Sequence, residues 1–223
     1  MSIPNKNSRT LEASKVISQQ QIGENAYLLK LERRYDFVPG QVVGVSVSEE
    51  IPARLYSIAS GKTKDYLSIL YTVVPDGILT QKLSKLKSGD QVYMSPPFGN
   101  FTGEDVPAYW IAAGTGLAPF LSMMESGFDN NKILIHGSRF TEGFFFQNNL
   151  KDKFGKDYIR CCSAEQKDDV YFGRLTTFLM EQQNLPKEYK YYLCGSSEMV
   201  VQTRDILISK GIPFENILSE IYF

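Results

Sequence analysis

The hydrophobic pattern of the chain changes near residue 103, and this change constrains the fold more than any single motif. Before it, short stretches rich in β-branched and aromatic residues, such as QVVGVSV and YLSILYTVV, are separated by Gly, Pro and Asp. After it, the apolar strands AYWIAAG, KILIHGS, DYIRCCS and KYYLCG alternate with predicted helical segments such as FFFQNNLKDKFG. The first pattern predicts an antiparallel barrel or sandwich, and the second predicts a doubly wound parallel sheet with helices on its faces. We therefore expect two domains, a β-barrel over residues 1–103 and an α/β domain over residues 104–223.

One uncharged stretch, Val106 to Met124, is nearly as long as the roughly 20 residues that span a bilayer. Its central Gly-Thr-Gly and its two prolines favour a strand, a glycine turn and a helix start over one membrane helix. The N-terminus has no apolar signal region, and three cysteines are too few for a disulfide framework or a four-thiolate cluster. The sequence predicts a cytoplasmic protein without a membrane partner or a metal site.

The charges of the chain nearly balance, with 24 Lys and Arg against 25 Asp and Glu. No long run of like charge is present, so binding to nucleic acid is not expected. A charged partner would have to be recognised by a local patch. Lys62 and Lys64 could form one, although solvated loop lysines are the simpler explanation.

Residues 54–60, RLYSIAS, place an arginine, an aromatic ring and a hydroxyl in one predicted strand. Because side chains alternate along a strand, Arg54 and Tyr56 share a face and Ser57 points the other way. The pair could hold an anion beside a flat ring, or the segment could be an ordinary half-buried barrel strand.

Residues 76–83, DGILTQKL, predict a glycine turn that opens a short helix. The free N–H groups of such a turn, together with the hydroxyl of Thr80, could bind a phosphate. The alternative is an ordinary capped surface helix.

In AAGTGLAP, Gly114 and Gly116 stand between a strand and a helix, where a glycine loop lets a pyrophosphate approach backbone N–H groups. Pro119 occupies the place of the third glycine of common dehydrogenases. The next strand ends in Ser138 and Arg139, and a cation at this position favours the 2′-phosphate of NADP over NAD.

A further strand ends in YLCGSSEMV. The carboxyl ends of parallel strands line ligand clefts, so Cys194 and Gly195 are expected to face the same cleft as the glycine turn. Cys161 and Cys162 are expected to be small buried thiols.

These four motifs, in this order and at this spacing, resemble the ferredoxin–NADP reductase family, and the bacterial branch in particular, from about residue 15 to Phe223. The resemblance implies an FAD-dependent oxidoreductase that transfers electrons between NADPH and a one-electron carrier by hydride transfer to flavin N5. Because no CxxxxCxxC motif is present, the carrier, ferredoxin or flavodoxin, is expected to be a separate protein. We expect a monomer.

The resemblance also implies roles for individual residues. Arg54 would neutralise the FAD pyrophosphate, Tyr56 would stack on the isoalloxazine, and Ser57 would approach N5. The other FAD-binding residues it implies are Tyr71, Val73, Gly77, Ile78, Leu79, Thr80, Thr115, Tyr222 and Phe223. The NADP-binding residues it implies are Gly114, Thr115, Gly116, Ser138, Arg139, Arg174, Cys194 and Gly195. The implied catalytic residues are Ser57, Cys194 and Glu220. Tyr222 or Phe223 would cover the other flavin face or the adenine, or the two aromatics could simply complete a C-terminal strand.

One departure from the family pattern concerns the coenzyme. Ala164 stands where the bacterial branch often carries an arginine, so NADPH binding depends on Arg139 and Arg174, with Lys167 as a substitute. Two alternatives stay open. One is an NADH-dependent reductase component that serves an oxygenase or free flavin, and the other is a nucleotide-binding electron-transfer subunit without turnover.

Overall fold

A computed structural model describes residues 10–222 of the chain. The strands are β1 (Glu12–Gln21), β2 (Ala26–Glu32), β3 (Val42–Ser46), β4 (Arg54–Ser57), β5 (Tyr66–Thr72), β6 (Gln91–Met94), β7 (Ala108–Ala113), β8 (Lys132–Ser138), β9 (Tyr158–Cys162), β10 (Tyr171–Phe172), β11 (Lys190–Ser196) and β12 (Ile217–Tyr222). The α-helices are α1 (Ile78–Leu83), α2 (Ala118–Glu125), α3 (Gln147–Phe154), α4 (Leu175–Glu181) and α5 (Ser197–Ser209).

The first six strands form one antiparallel sheet in the order β4-β3-β6-β1-β2-β5. Its two outer strands also meet, because Ile58 bridges to Ile69 and the N–H of Ala59 donates to the carbonyl of Ser68 at 2.8 Å. The sheet therefore closes into the predicted barrel, and its interior is filled by side chains such as Leu29 and Leu31. Strand β1 was not recognisable from its sequence, EASKVISQQQ, because most of its residues are polar.

The later strands form a parallel sheet in the order β10-β9-β8-β7-β11-β12, which confirms the predicted α/β fold. The four strands predicted from the sequence are β7, β8, β9 and β11. Two further strands, β10 and β12, complete the edges. The uncharged stretch from residue 106 to 124 contains β7, a 3₁₀ turn over Gly114–Leu117 and most of α2. In residues 10–222, no helix has both the length and the apolar character needed to cross a membrane.

The segment FFFQNNLKDKFG differs from the predicted helix, because α3 starts only at Gln147. Phe146 adopts a left-handed conformation with a φ of 58°. Phe144 and Phe145 are buried, and the ring of Phe145 packs against Gly23 of the barrel, where an added Cβ would lie 2.8 Å from it. Burial of these two rings thus decides the backbone path against the helical pattern.

The two domains pack through an apolar cluster that includes Ala59 and Leu70 of the barrel and Leu121 of α2. Hydrogen bonds reinforce this contact. Ser122 donates its hydroxyl to the carbonyl of Ser60 at 2.7 Å, and the N–H of Gly61 donates to the carboxylate of Glu125 at 2.9 Å. Helix α2 thereby fixes the glycine turn before it relative to β4. The predicted domain boundary at residue 103 falls between β6 and β7.

Candidate active site

Strand β4 presents the predicted flavin-binding side chains at the edge of the barrel. Arg54 is exposed, Tyr56 is half-buried and Ser57 is buried. Burial raises the pKa of Tyr56 to about 12, although the charge of Arg54 opposes this shift. The tyrosine ring is therefore neutral at physiological pH.

Tyr71 supports Tyr56 from inside the barrel. The two rings meet edge to face with centroids 6.3 Å apart, and Tyr71 also stacks on Tyr27 at 5.5 Å. The hydroxyl of Tyr71 donates to Gln19 Oε1 at 2.8 Å. Tyr71 is only 2% exposed, so its side chain holds Tyr56 in place more than it offers a surface to a ligand. Val73, one residue beyond β5, is half-buried.

The turn before α1 requires glycine at position 77. A Cβ on Gly77 would lie 2.8 Å from Thr80 Oγ1 and 3.0 Å from Val74 Cβ. The hydroxyl of Thr80 stabilises the turn itself, since it accepts from the N–H of Val74 at 3.0 Å and donates to the carbonyl of Gly77 at 3.4 Å. Leu79 anchors the helix in the barrel core, whereas Ile78 is 68% exposed. A phosphate at this turn would therefore depend on the N–H groups that open the helix.

The residues present fit an FAD on this side of the barrel. The guanidinium of Arg54 takes part in none of the ion pairs found within residues 10–222. A cation without a carboxylate partner, a neutral aromatic ring beside it and an open helix start suit a ligand that carries both phosphates and a flat ring system.

In the turn after β7, the two glycines have different roles. Gly114 has a φ of +56°, and a Cβ there would meet no atom within 4 Å. Gly116 is buried, and a Cβ there would lie 2.2 Å from the carbonyl oxygen of Cys194. The glycine pattern in the sequence predicts that both positions let a pyrophosphate approach the backbone. The second glycine is instead required because the turn packs directly on the end of β11. Thr115, between them, is half-buried.

The three predicted catalytic residues lie together at the junction of the domains. Cys194 is fully buried in β11, between Ala112 of β7 and Glu220 of β12. Ser57 donates a hydrogen bond from its hydroxyl to the carboxylate of Glu220. Burial raises the pKa of Glu220, and the bond from Ser57 only partly offsets this shift. The carboxyl group therefore holds a proton more readily than an exposed glutamate does.

A cavity of about 330 Å³ opens at the carboxyl ends of β7, β8, β9 and β11, and its volume is in the range of ligand pockets. The predicted coenzyme residues that line it are Gly114, Ser138, Arg139 and Arg174, whereas Thr115, Gly116, Cys194 and Gly195 do not. The hydroxyl of Ser138 donates to the carbonyl of Phe140 at 2.7 Å. Cys161 also lines the cavity, and burial raises its pKa to about 12, so this thiol is unreactive at neutral pH.

Sequence reasoning missed one charged residue of this cavity, Glu198. Its carboxylate lies 3.5 Å from Arg174 Nη1 and accepts a hydrogen bond from Gln202 at 3.1 Å. In the sequence, a glutamate two residues after Ser196 is typical of the first turn of a helix. Ser196 does cap α5, by accepting from the N–H of Met199 at 3.4 Å. Only the fold shows that the same glutamate also faces the cavity.

Family models match both domains of the chain. Residues 10–102 match the oxidoreductase FAD-binding domain, and residues 110–205 match the oxidoreductase NAD-binding domain. The chain belongs to the ferredoxin–NADP reductase family. This membership confirms the predicted fold, the predicted binding of FAD and a nicotinamide nucleotide, and an FAD-dependent oxidoreductase function.

Individual relatives of this reductase family differ in their physiological roles. A ferredoxin–NADP reductase of Pseudomonas aeruginosa is 28% identical in an alignment that covers 91% of each chain. The toluate 1,2-dioxygenase electron transfer component of Pseudomonas putida is 27% identical over 90% of this chain and 64% of its own length. Among solved structures, a ferredoxin–NADP⁺ reductase from Neisseria gonorrhoeae with bound FAD and NADP matches with a TM-score of 0.87 and 21% identity, over 97% of this chain and all of the other. That likeness supports the reductase fold.

The roles of the C-terminal aromatics in this reductase stay predictions. Tyr222 ends β12, where its backbone pairs with Ser196. Phe223 lies outside the described residues. The other residue assignments taken from the family likewise stay predictions.

Proposed function

We propose that the protein transfers electrons between NADPH and a one-electron carrier protein, ferredoxin or flavodoxin, through bound FAD. The observation that supports this most strongly is the hydrogen bond from Ser57 of the barrel to Glu220 of the parallel sheet. It brings the FAD-binding domain and the NAD-binding domain together beside Cys194. A flavin on β4 and a nicotinamide above the ends of β7 and β11 would meet at this junction.

When bound, FAD supplies the redox chemistry by taking a hydride from the nicotinamide. The chain supplies binding and orientation. Arg54 offsets the charge of the phosphates, and the α1 turn that Thr80 stabilises offers N–H donors to them. Tyr56, held by Tyr71 and neutral at physiological pH, provides an apolar face for a ring system.

Ser57 and Glu220 would control a proton at the junction. When Glu220 is ionised, its carboxylate accepts a hydrogen bond from the hydroxyl of Ser57. When Glu220 is protonated, it can donate a hydrogen bond to Ser57 Oγ, and Ser57 can then direct its own hydroxyl proton toward a ligand. The raised pKa of Glu220 brings this exchange closer to neutral pH.

The proposed carrier is a separate protein, and it would meet a basic patch beside β4. The guanidinium of Arg33 donates to the carbonyls of Lys62 and Lys64 at 2.6 and 2.7 Å, so the loop that carries these lysines is held in place. Positive side chains near the flavin would attract an acidic carrier. A cytoplasmic location and a monomeric state are part of the same proposal.

A specific observation favours a second function, that of an NADH-dependent reductase component of an oxygenase. The carboxylate of Glu198 lies in the coenzyme cavity, and acidic residues near the ribose are typical of NAD sites. The Pseudomonas putida relative named above is itself an electron transfer component of a dioxygenase.

An anaerobic titration of the FAD-loaded protein with NADPH, and separately with NADH, tests both functions. Loss of the flavin's blue absorbance with NADPH, followed by its return when oxidised ferredoxin or flavodoxin is added, is the expected result. Bleaching by NADH without transfer to either carrier would favour the oxygenase component. If neither coenzyme bleaches the flavin, both enzymatic proposals are wrong and a subunit without turnover takes their place.

The role of Arg54 is tested with Arg54→Met. Because the substitution removes a charge-assisted contact to phosphate, we expect the dissociation constant for FAD to rise about ten- to hundredfold. Arg34→Met is the matched control, since Arg34 is also a barrel arginine but pairs with Glu12 at 3.7 Å. Equal FAD affinities of the two variants would refute this role for Arg54. Fluorescence of the flavin released on dilution measures the affinity.

A further inference from the structure

One carboxylate side chain, that of Glu198, lines the coenzyme cavity together with its arginines. Arg174, which precedes α4, and Glu198, in the first turn of α5, both line it and lie 3.5 Å apart. Their side chains are 67% and 69% exposed, so both are accessible to a ligand. A weak, exposed ion pair of this kind is easily exchanged for contacts to that ligand.

Glu198 is held in this position from within its own helix. Gln202, one turn further along α5, donates to Oε1 of Glu198 at 3.1 Å, and the N-terminal end of a helix stabilises a negative side chain in its first turn. The carboxylate is thus oriented into the cavity by α5, while Arg174 reaches it from another element.

The two coenzymes differ only at the 2′ position of the adenosine ribose, and the cavity has a group suited to each. A 2′-hydroxyl, as in NADH, can donate a hydrogen bond to a carboxylate. A 2′-phosphate, as in NADPH, carries up to two negative charges and is attracted by Arg139 and Arg174. Glu198 opposes that phosphate, both by direct repulsion and because it engages Arg174.

We propose that Glu198 sets the coenzyme selectivity of this reductase, admitting NADH through its carboxylate and limiting the affinity for NADPH. The inference rests on the proposed function, because it takes this cavity as the site of the coenzyme's adenosine end. It assigns dual coenzyme use to the native protein. It also assigns the balance between the two coenzymes to one side chain that touches no part of the flavin-binding strand.

The experiment uses the FAD-loaded protein and the variant Glu198→Gln, which keeps the size of the side chain and its contact with Gln202. Calorimetry measures the binding of adenosine 2′,5′-bisphosphate and of adenosine 5′-monophosphate, which model the adenosine ends of NADPH and NADH. Removal of one negative charge near a phosphate should tighten bisphosphate binding by about tenfold. Loss of the carboxylate acceptor should weaken monophosphate binding by about two- to fivefold.

Asp205→Asn is the matched control, since it removes the same charge from the same helix at a residue that pairs with Arg204 outside the cavity. It should leave both affinities unchanged. The ratio of KM for NADPH to KM for NADH, with ferricyanide as electron acceptor, should fall in Glu198→Gln and stay constant in Asp205→Asn.

The outcomes separate this inference from the proposed function. If Glu198→Gln leaves the ratio of the two nucleotide affinities as in the wild type, the inference is wrong, even if both coenzymes bleach the flavin. If the ratio shifts as expected but neither coenzyme bleaches the flavin, the reductase function fails and the role of Glu198 in binding stands. If the wild type binds neither nucleotide, the cavity is not the coenzyme site and the inference fails with it.

Discussion

His136 should make the stability of the protein depend on pH in a way that can be assigned to one residue. It is the only histidine of the chain and is fully buried in β8. Its Nδ1 lies 3.0 Å from the hydroxyl of Tyr158, while its Nε2 has no hydrogen-bond partner in the described part of the chain. Burial, and secondly the charge of Arg160, lower the pKa of His136 from 6.5 to about 3.

The sign and size of the effect follow from this lowered pKa. Between about pH 6.5 and pH 3 the unfolded chain binds a proton at this imidazole and the folded chain does not, so stability is lost as the pH falls. At pH 5.0, about 1.5 below the unfolded pKa, this loss is about 2 kcal/mol. For a chain of this length, such a loss lowers the midpoint of thermal unfolding by roughly 4–8 °C.

The assay compares thermal unfolding of the wild type and His136→Asn at about pH 7 and pH 5. Asparagine cannot titrate there, yet it keeps a polar atom near the Tyr158 hydroxyl. The variant should be less stable at both pH values because it leaves a void. The fall in the midpoint of thermal unfolding between the two pH values, however, should be smaller in the variant by roughly 4–8 °C. Other carboxyl groups, including Glu220, titrate alike in both proteins and cancel. The same fall in both proteins would refute the reasoning.

Two further predictions concern the junction of the domains. Gly116→Ala should destabilise the protein by about 2–3 kcal/mol, because the new Cβ would lie 2.2 Å from the carbonyl oxygen of Cys194. Gly114→Ala, which meets only the cost of a left-handed φ, should destabilise it by about 1 kcal/mol. Chemical denaturation that finds Gly114→Ala the less stable variant would contradict this prediction. Glu220→Gln should slow flavin bleaching, because the glutamine cannot exchange a proton with Ser57. Since the pKa of Glu220 is raised from its ordinary value of 4.5, the thermal midpoint of the wild type minus that of the variant should decrease as the pH rises above that value. A difference that stays constant or increases would contradict the assigned burial effect.

Much of the fold was predictable from local patterns. Alternating and helical periodicities identified the barrel strands other than β1 and the central strands of the parallel sheet, because each pattern records which face of an element meets the core. The polar strand β1 has no such hydrophobic pattern. It is a strand because β2 and β6 pair with it on both sides. The prediction of a helix over the aromatic residues before α3 was wrong for the opposite reason. Phe144 and Phe145 are apolar residues that are buried outside any helix.

The candidate site divides in the same way. Residues of one turn or one strand, such as Arg54, Tyr56 and Gly77, could be proposed from the sequence, because their placement depends on the local backbone. The distinct role of Gly116 was not, because the atom it must avoid belongs to β11. Glu198 was also missed, since its partner Arg174 stands 24 residues away in the chain.

By itself, the sequence determined the two-domain architecture and the kind of ligand each domain binds, and it predicted most residues of the candidate site, since these depend on short-range periodicity and on motifs a few residues long. Only the tertiary structure decided that Ser57 donates to Glu220 across 163 residues and that Glu198 shares a cavity with Arg174. Such contacts depend on how separately formed elements pack against each other, and no local pattern in the chain encodes that packing.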